Sequence, residues 1–184
     1  DTQLRGDNSL SFGVVDTRRC LNEAMAHLKS LTQQPDVIVV TGDLADSGDM
    51  HAYHILHDEL AALGLPVYAV PGNHDRRDRM REVMPQWCPA KPDIAPYLCY
   101  TVEQDNLRMI MMDSMSPGSH SGHCHAQTGD WLERELAKRP QTPTLLFMHH
   151  PPFATGMGAM DEPFENVERL AAIAGRNPQM RLCF

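Results

Sequence analysis

The sequence predicts an α/β domain, on three observations. Short apolar runs rich in β-branched residues alternate with amphipathic helical stretches along the whole chain. Three of those runs, 37–40, 65–70 and 145–148, lead directly into polar groups: Thr41-Gly42-Asp43, Gly72-Asn73-His74-Asp75 and His149-His150-Pro151-Pro152. In an open α/β sheet the C-terminal strand ends face one crevice, so these groups are expected to meet. The chain has 184 residues, 42% hydrophobic and 22% charged, which is enough for a single core, and no low-complexity stretch divides it.

Residues 18–33 carry Leu21, Ala24, Met25, Leu28 and Leu31 at helical spacing, and Pro35 ends that helix. The β-branched run at 36–41 predicts a central strand covered on both faces, with Gly42 as its tight exit. A second helix is expected over 49–63, stopped by Gly64 and Pro66, and the strand 67–70 follows. A short, highly charged helix over 76–84 leads into an irregular proline-rich segment at 85–96. Residues 97–102 and 107–112 read as a hairpin. The remaining order is a helix over 128–139 with an apolar stripe at Trp131, Leu132 and Leu136, a strand over 144–148, a helix over 165–174 and a strand from Met180. This alternation predicts helices on both sheet faces.

Composition narrows the partners. A net charge of -8 argues against a nucleic-acid partner and against an anionic membrane, since both favour cationic surfaces. No apolar run approaches the roughly 20 residues of a membrane span. The cysteines Cys20, Cys88, Cys99, Cys124 and Cys183 lack zinc-knuckle spacing, and their odd number cannot form a closed disulfide set. Reduced thiols in a cytoplasm are the expectation, with a Cys88–Cys99 pair as the alternative.

The strand-end groups suggest metal chemistry. The two oxygens of Asp43 can bridge two cations, Asn73 offers a carbonyl oxygen and His149 a ring nitrogen, a donor mixture that suits zinc, manganese or iron. Two such ions about 3.5–4 Å apart can clamp a phosphoryl group and activate a bridging water.

With these motifs the chain resembles the calcineurin-like metallophosphoesterases, in which Asp-x-His, Gly-Asp, Gly-Asn-His-Asp/Glu, His and Gly-His-x-His follow in order. Its texture is most similar to bacterial glycerophosphodiesterases and class III cyclic-nucleotide phosphodiesterases. The resemblance implies a layered α/β/β/α sandwich and a metal-dependent phosphodiesterase with a metal-bridging hydroxide as nucleophile. It further implies two divalent ions (Mn, Zn or Fe), a small phosphodiester substrate, and an oligomer of the kind found among similar proteins. Carried over, Asp43 bridges the metals and Asn73 and His149 complete the second site. His74 delivers a proton to the leaving alkoxide, and Asp75 orients His74 or its loop. The other reading of Gly72 to Asp75 is a polar turn capping the helix at Arg76.

Two departures stand out. Asp1-Thr2-Gln3 occupies the Asp-x-His position, so Asp1 fits the first site while Gln3 brings an amide oxygen in place of an imidazole. The first site is then weakened, retuned toward a harder ion or filled only with substrate, unless Gln3 is a surface loop residue. Nothing precedes Asp1 here, and the chain stops where Gly-His-x-His should follow. Residues 1–184 are therefore expected to be one catalytic domain in fragment form, lacking a first strand and two histidine ligands. Gly122-His123-Cys124-His125 spells that motif in the wrong order and is expected to be a loop leading into the next helix, the alternative being a substrate-facing role or stray zinc at His120, His123 and Cys124, which are not counted as ligands. His51, His54 and His57 are expected on a solvated helix face, and Arg76, Arg77, Arg79 and Arg81, interleaved with Asp78 and Glu82, on an exposed salt-bridged one, with steering of phosphate toward the crevice as the alternative. The non-catalytic alternative is a binding or scaffolding protein with a degenerate first metal site; a third is a nuclease of the same superfamily.

Overall fold

A computed structural model describes residues 1–104, 107–158 and 161–183. Helix α1 (Thr17–Ser30) starts at Asp16, whose carboxylate accepts from the Arg19 N–H, and buries Leu21 and Met25 one turn apart. It ends earlier than its apolar spacing suggests. The Gln34 side-chain amide donates to the Leu28 and Leu31 carbonyls, satisfying the helix end from beyond it. Strand β1 (Ile38–Thr41) is followed by α2 (Met50–Ala61), capped by Asp49 and buried along Ala52, Tyr53, Leu56 and Leu60. Strand β2 (Val67–Val70) and α3 (Arg77–Val83) come next.

β1 and β2 pair in parallel, Ile38 opposite Val67 through Thr41 opposite Val70. β1 differs from the expected doubly covered strand. All four of its residues remain partly exposed, because among the described residues it pairs with β2 alone.

The second sheet has the order β3 (Tyr100–Gln104), β4 (Leu107–Met111), β5 (Thr144–Phe147), β6 (Met180–Cys183). β3 and β4 are antiparallel, and the other two pairings are parallel. The hairpin starts later than expected. Residues 97–99 stay outside it, while the predicted turn at 103–106 contributes its first two residues to β3; residues 105 and 106, like Phe184, lie outside the described residues. Helices α4 (Ala126–Lys138) and α5 (Val167–Arg176) complete the chain.

Strand alternation divides the core in two. On β4, Met109 and Met111 join the cluster that holds β1, β2, α1 and α2. The intervening Ile110, and Met112 beyond the strand, turn to α4 and α5, where they meet Leu146, Trp131, Leu132, Leu170 and Ile173. The layers are therefore helix, sheet, sheet, helix. Tyr100 of β3 ties the sheets together: its hydroxyl accepts from the Ala69 N–H of β2 at 2.9 Å and lies 2.8 Å from the Ala69 carbonyl. Cys88 and Cys99 are buried and both free, so the alternative of a disulfide between them is not realised. Burial pushes the Cys88 thiol up to about 12.

Candidate metal centre

The strand ends do converge. Past β1, Gly42 (φ +96°) and Asp43 (φ +49°) turn the chain so that the Asp43 carboxylate enters the rim between the sheets. A side chain at Gly42 would come within 2.5 Å of the His149 Nδ1, and one at Gly72 within 2.2 Å of an Asp43 carboxylate oxygen. Both glycines are required for close approach. Residues 3 and 4 run beside this turn, with the Gln3 and Leu4 N–H groups donating to the carbonyls of Asp43 and Leu44. Asp1 is thereby delivered to the same place.

Asp1, Asp43 and His149 bring three donor atoms within 4.8 Å of one another. The His149 Nδ1 lies 2.8 Å from the Thr41 carbonyl and must donate to it, which leaves Nε2 as the ligating nitrogen, 3.4 Å from Asp43 Oδ1. Two donors at about 2.1 Å from a shared ion span such a separation, so these residues fit a divalent metal. Asp1 approaches on the Nδ1 side, 3.7 Å away, and is largely exposed, whereas Asp43 is buried. Gln3 donates its amide N–H to Asp43 Oδ2 at 3.3 Å. As a ligand it would have to turn its oxygen to the ion instead.

His74 leans on the same carboxylate. Its backbone N–H donates to Asp43 Oδ1 at 3.0 Å, and its Nε2 lies 4.0 Å from Oδ2. The His74 Nδ1 donates to the Asp46 carbonyl at 2.6 Å, fixing the ring with Nε2 toward the rim. Asp75 lies apart. Buried, it accepts from the N–H groups of Gly72, Leu44 and Ala45 and from the Tyr53 hydroxyl, so its contacts are with the loop and not with the His74 ring. Burial raises its pKa, against the lowering effect of those bonds. α3 has no side-chain cap, so Asn73 and Asp75 are not capping it.

Three features were missed by sequence reasoning. His120, from the loop before α4, places its Nδ1 2.9 Å from the Asn73 amide nitrogen and its ring 5.8 Å from that of His74. A histidine in a Ser- and Gly-rich loop carries no spacing signal that would point there. His150 bonds Ser114 through Nδ1 at 2.8 Å, and its buried Nε2 has no hydrogen-bond partner. Burial first, then neighbouring His149, pulls its pKa down to about 4. The arginines of α3 are the third, and here the expectation of an exposed salt-bridged face is corrected. Only Arg76 pairs along the helix, with Asp78; Arg77 binds Asp113, Arg79 the Gly48 carbonyl and Arg81 the Pro96 carbonyl. Loop carbonyls and a buried acid compete better for these groups than solvated helix neighbours do.

The Gly122 to His125 stretch is the expected lead-in to α4: His123 stacks on His125 and bonds Glu165 and Asn166. His51 and His54 are solvated, while His57 stacks on Trp87.

A helix-sheet-sheet-helix sandwich with acid, amide and imidazole groups on one strand-end rim defines the class: a protein of metallophosphoesterase architecture. The sequence profile of the calcineurin-like phosphoesterases matches residues 12–174, and the chain belongs to that family. Glycerophosphodiester phosphodiesterase GpdQ of Enterobacter lignolyticus is 32% identical over 181 residues, covering 98% of this chain and 65% of that protein. A cAMP/cGMP dual specificity phosphodiesterase of Mycobacterium tuberculosis is 38% identical over 156 residues, or 83% of this chain and 48% of the relative. A 3′,5′-cyclic-nucleotide phosphodiesterase of Nostoc is 28% identical over 183 residues, 99% and 66%. The chain thus spans just under two thirds of the length of GpdQ and of the Nostoc relative.

Proposed function

We propose that this protein is a metal-dependent phosphodiesterase acting on a small phosphodiester, a glycerophosphodiester or a cyclic nucleotide. The observation that carries the reading is the cluster of Asp1, Asp43 and His149 at the rim, with His149 Nε2 turned to Asp43. The names of the relatives support the substrate classes, since they are glycerophosphodiester and cyclic-nucleotide phosphodiesterases. The same names weigh against the scaffolding alternative.

Asp1, Gln3, Asp43, Asn73 and His149 would hold two divalent ions, of Mn, Zn or Fe. When bound, such ions supply activation of a water and neutralisation of the phosphoryl oxygens. His74 is the catalytic residue. As water adds to phosphorus, the P–O bond to the alcohol breaks with its electron pair on the alcohol oxygen, which takes a proton from His74 Nε2; the water's proton passes to solvent. The bond from Nδ1 to Asp46 supports this role by keeping Nε2 toward the rim. Asp75 acts as a positioning residue for the loop. Residues 1–184 belong to one catalytic domain in this reading, in a cytoplasmic homo-oligomer. The acidic balance disfavours nucleic acid and anionic membrane as partners, and among the described residues no helix is long and apolar enough to cross a membrane.

His74→Ala tests the assignment. Metal content is expected to stay at the parental level while kcat on a phosphodiester falls about 10²–10⁴-fold. A variant that hydrolyses as fast as the parent would show that His74 carries no proton in the reaction.

A further inference from the structure

Beside His74 lies an open cavity of about 460 Å³, within the size range of small-ligand pockets. One wall is the 73–78 segment; the other is Met115, Pro117 and Gly118. The charges around it are matched in sign on the spot. Arg76 faces Asp78 at 3.4 Å, and Asp75 is taken up by backbone N–H groups and Tyr53. Arg77 joins the two walls: it follows His74 by three residues and binds Asp113 through two bonds of 2.6 and 2.8 Å and the Met115 carbonyl at 2.7 Å. Side-chain exposure is 11% for Arg77 and 0% for Asp113, so this pair is sheltered from solvent screening. Asp113 also accepts from the N–H groups of Leu98 and Met115, which fixes the acid itself.

We propose, on the hydrolytic reading above, that this cavity is the subsite for the substrate's leaving alcohol. It favours an uncharged group bulkier than glycerol, and Arg77 is the positioning residue that sets its width. The adjacency is chemical: the group that takes the His74 proton must sit next to that ring. The volume exceeds what a three-carbon alcohol fills, and the paired charges offer no unmatched partner to a cationic head group. A planar, bidentate guanidinium reaches Asp113 and Met115 together, which a lysine ammonium at the same place does not.

The test uses the full-length protein loaded with manganese and two esters that share a methyl group, methyl 4-nitrophenyl phosphate and the bicyclic methyl 4-methylumbelliferyl phosphate. Pro117→Trp, which narrows the cavity from its exposed rim, is expected to shift kcat/KM at least about tenfold against the bicyclic ester relative to the monocyclic one. Arg77→Lys, which keeps the charge opposite Asp113, is expected to raise KM for the bicyclic ester about tenfold while kcat stays within about threefold. Adenosine, a bulky neutral alcohol, should compete at lower concentration than choline. An unshifted ester ratio in Pro117→Trp, a fall in kcat without a change in KM in Arg77→Lys, or tighter competition by choline overturns the subsite and leaves the hydrolytic reading standing. A metal-loaded parent that hydrolyses neither ester overturns both.

Discussion

At the scale of single residues, the candidate centre depends on atoms that are missing. Gly42 has φ +96°, and a Cβ there would sit 2.5 Å from the His149 Nδ1. Gly42→Ala is therefore expected to cost about 1–3 kcal/mol in backbone strain and to push His149 off the Thr41 carbonyl. The measurement is a metal titration with a parallel denaturant melt: weaker metal binding with lower stability is expected, and parental affinity would show that His149 is not a ligand. The motif residues Asp43, Asn73, His74 and His149 were legible because each lies in the short turn just past the end of an apolar strand. Gln3 was legible as a departure. The position of His120 was not, since its place beside Asn73 depends on the course of a loop, and neither was that of Arg77, whose partner Asp113 is 36 residues away. Asp75 illustrates a partial reading: its position beside His74 in sequence left open whether it serves the ring or the loop, and only its three backbone donors and Tyr53 distinguish them.

At the scale of elements, periodicity located the α-helices and strands of the described residues with their ends shifted by a few residues, but not the 3-10 turn at Pro92–Ile94 inside the segment expected to be irregular. α1 stops at Ser30 because Gln34 reaches back to its carbonyls, a side-chain contact that an apolar stripe does not encode. β3 begins at Tyr100, whose hydroxyl meets Ala69 on the other sheet, so tertiary bonding set the start of the hairpin. The amphipathic reading of α4 held at Trp131, Leu132 and Leu136, all buried. Leu132 packs in the outer cluster, away from the rim. Leu132→Ala is expected to lower unfolding free energy by about 2–5 kcal/mol with metal stoichiometry unchanged in the folded protein. Chemical denaturation and metal analysis of the same sample check this. A loss below about 1 kcal/mol would mean that the site collapses around the deletion or that α4 is not packed as described.

At the scale of the whole molecule, two clusters of buried side chains flank the second sheet, and the site lies at the rim where both sheets end. The acidic composition suits a protein that meets a small anion through bound cations rather than through a basic surface. The central claim is a two-ion hydrolytic centre in which Gln3 is tolerated. Its most direct measurement is metal content together with bis(p-nitrophenyl) phosphate hydrolysis on the full-length protein, after dialysis and after adding manganese, zinc or iron. The account predicts about two ions per chain and hydrolysis that rises with metal. One ion or none, with no turnover under any metal, would contradict it.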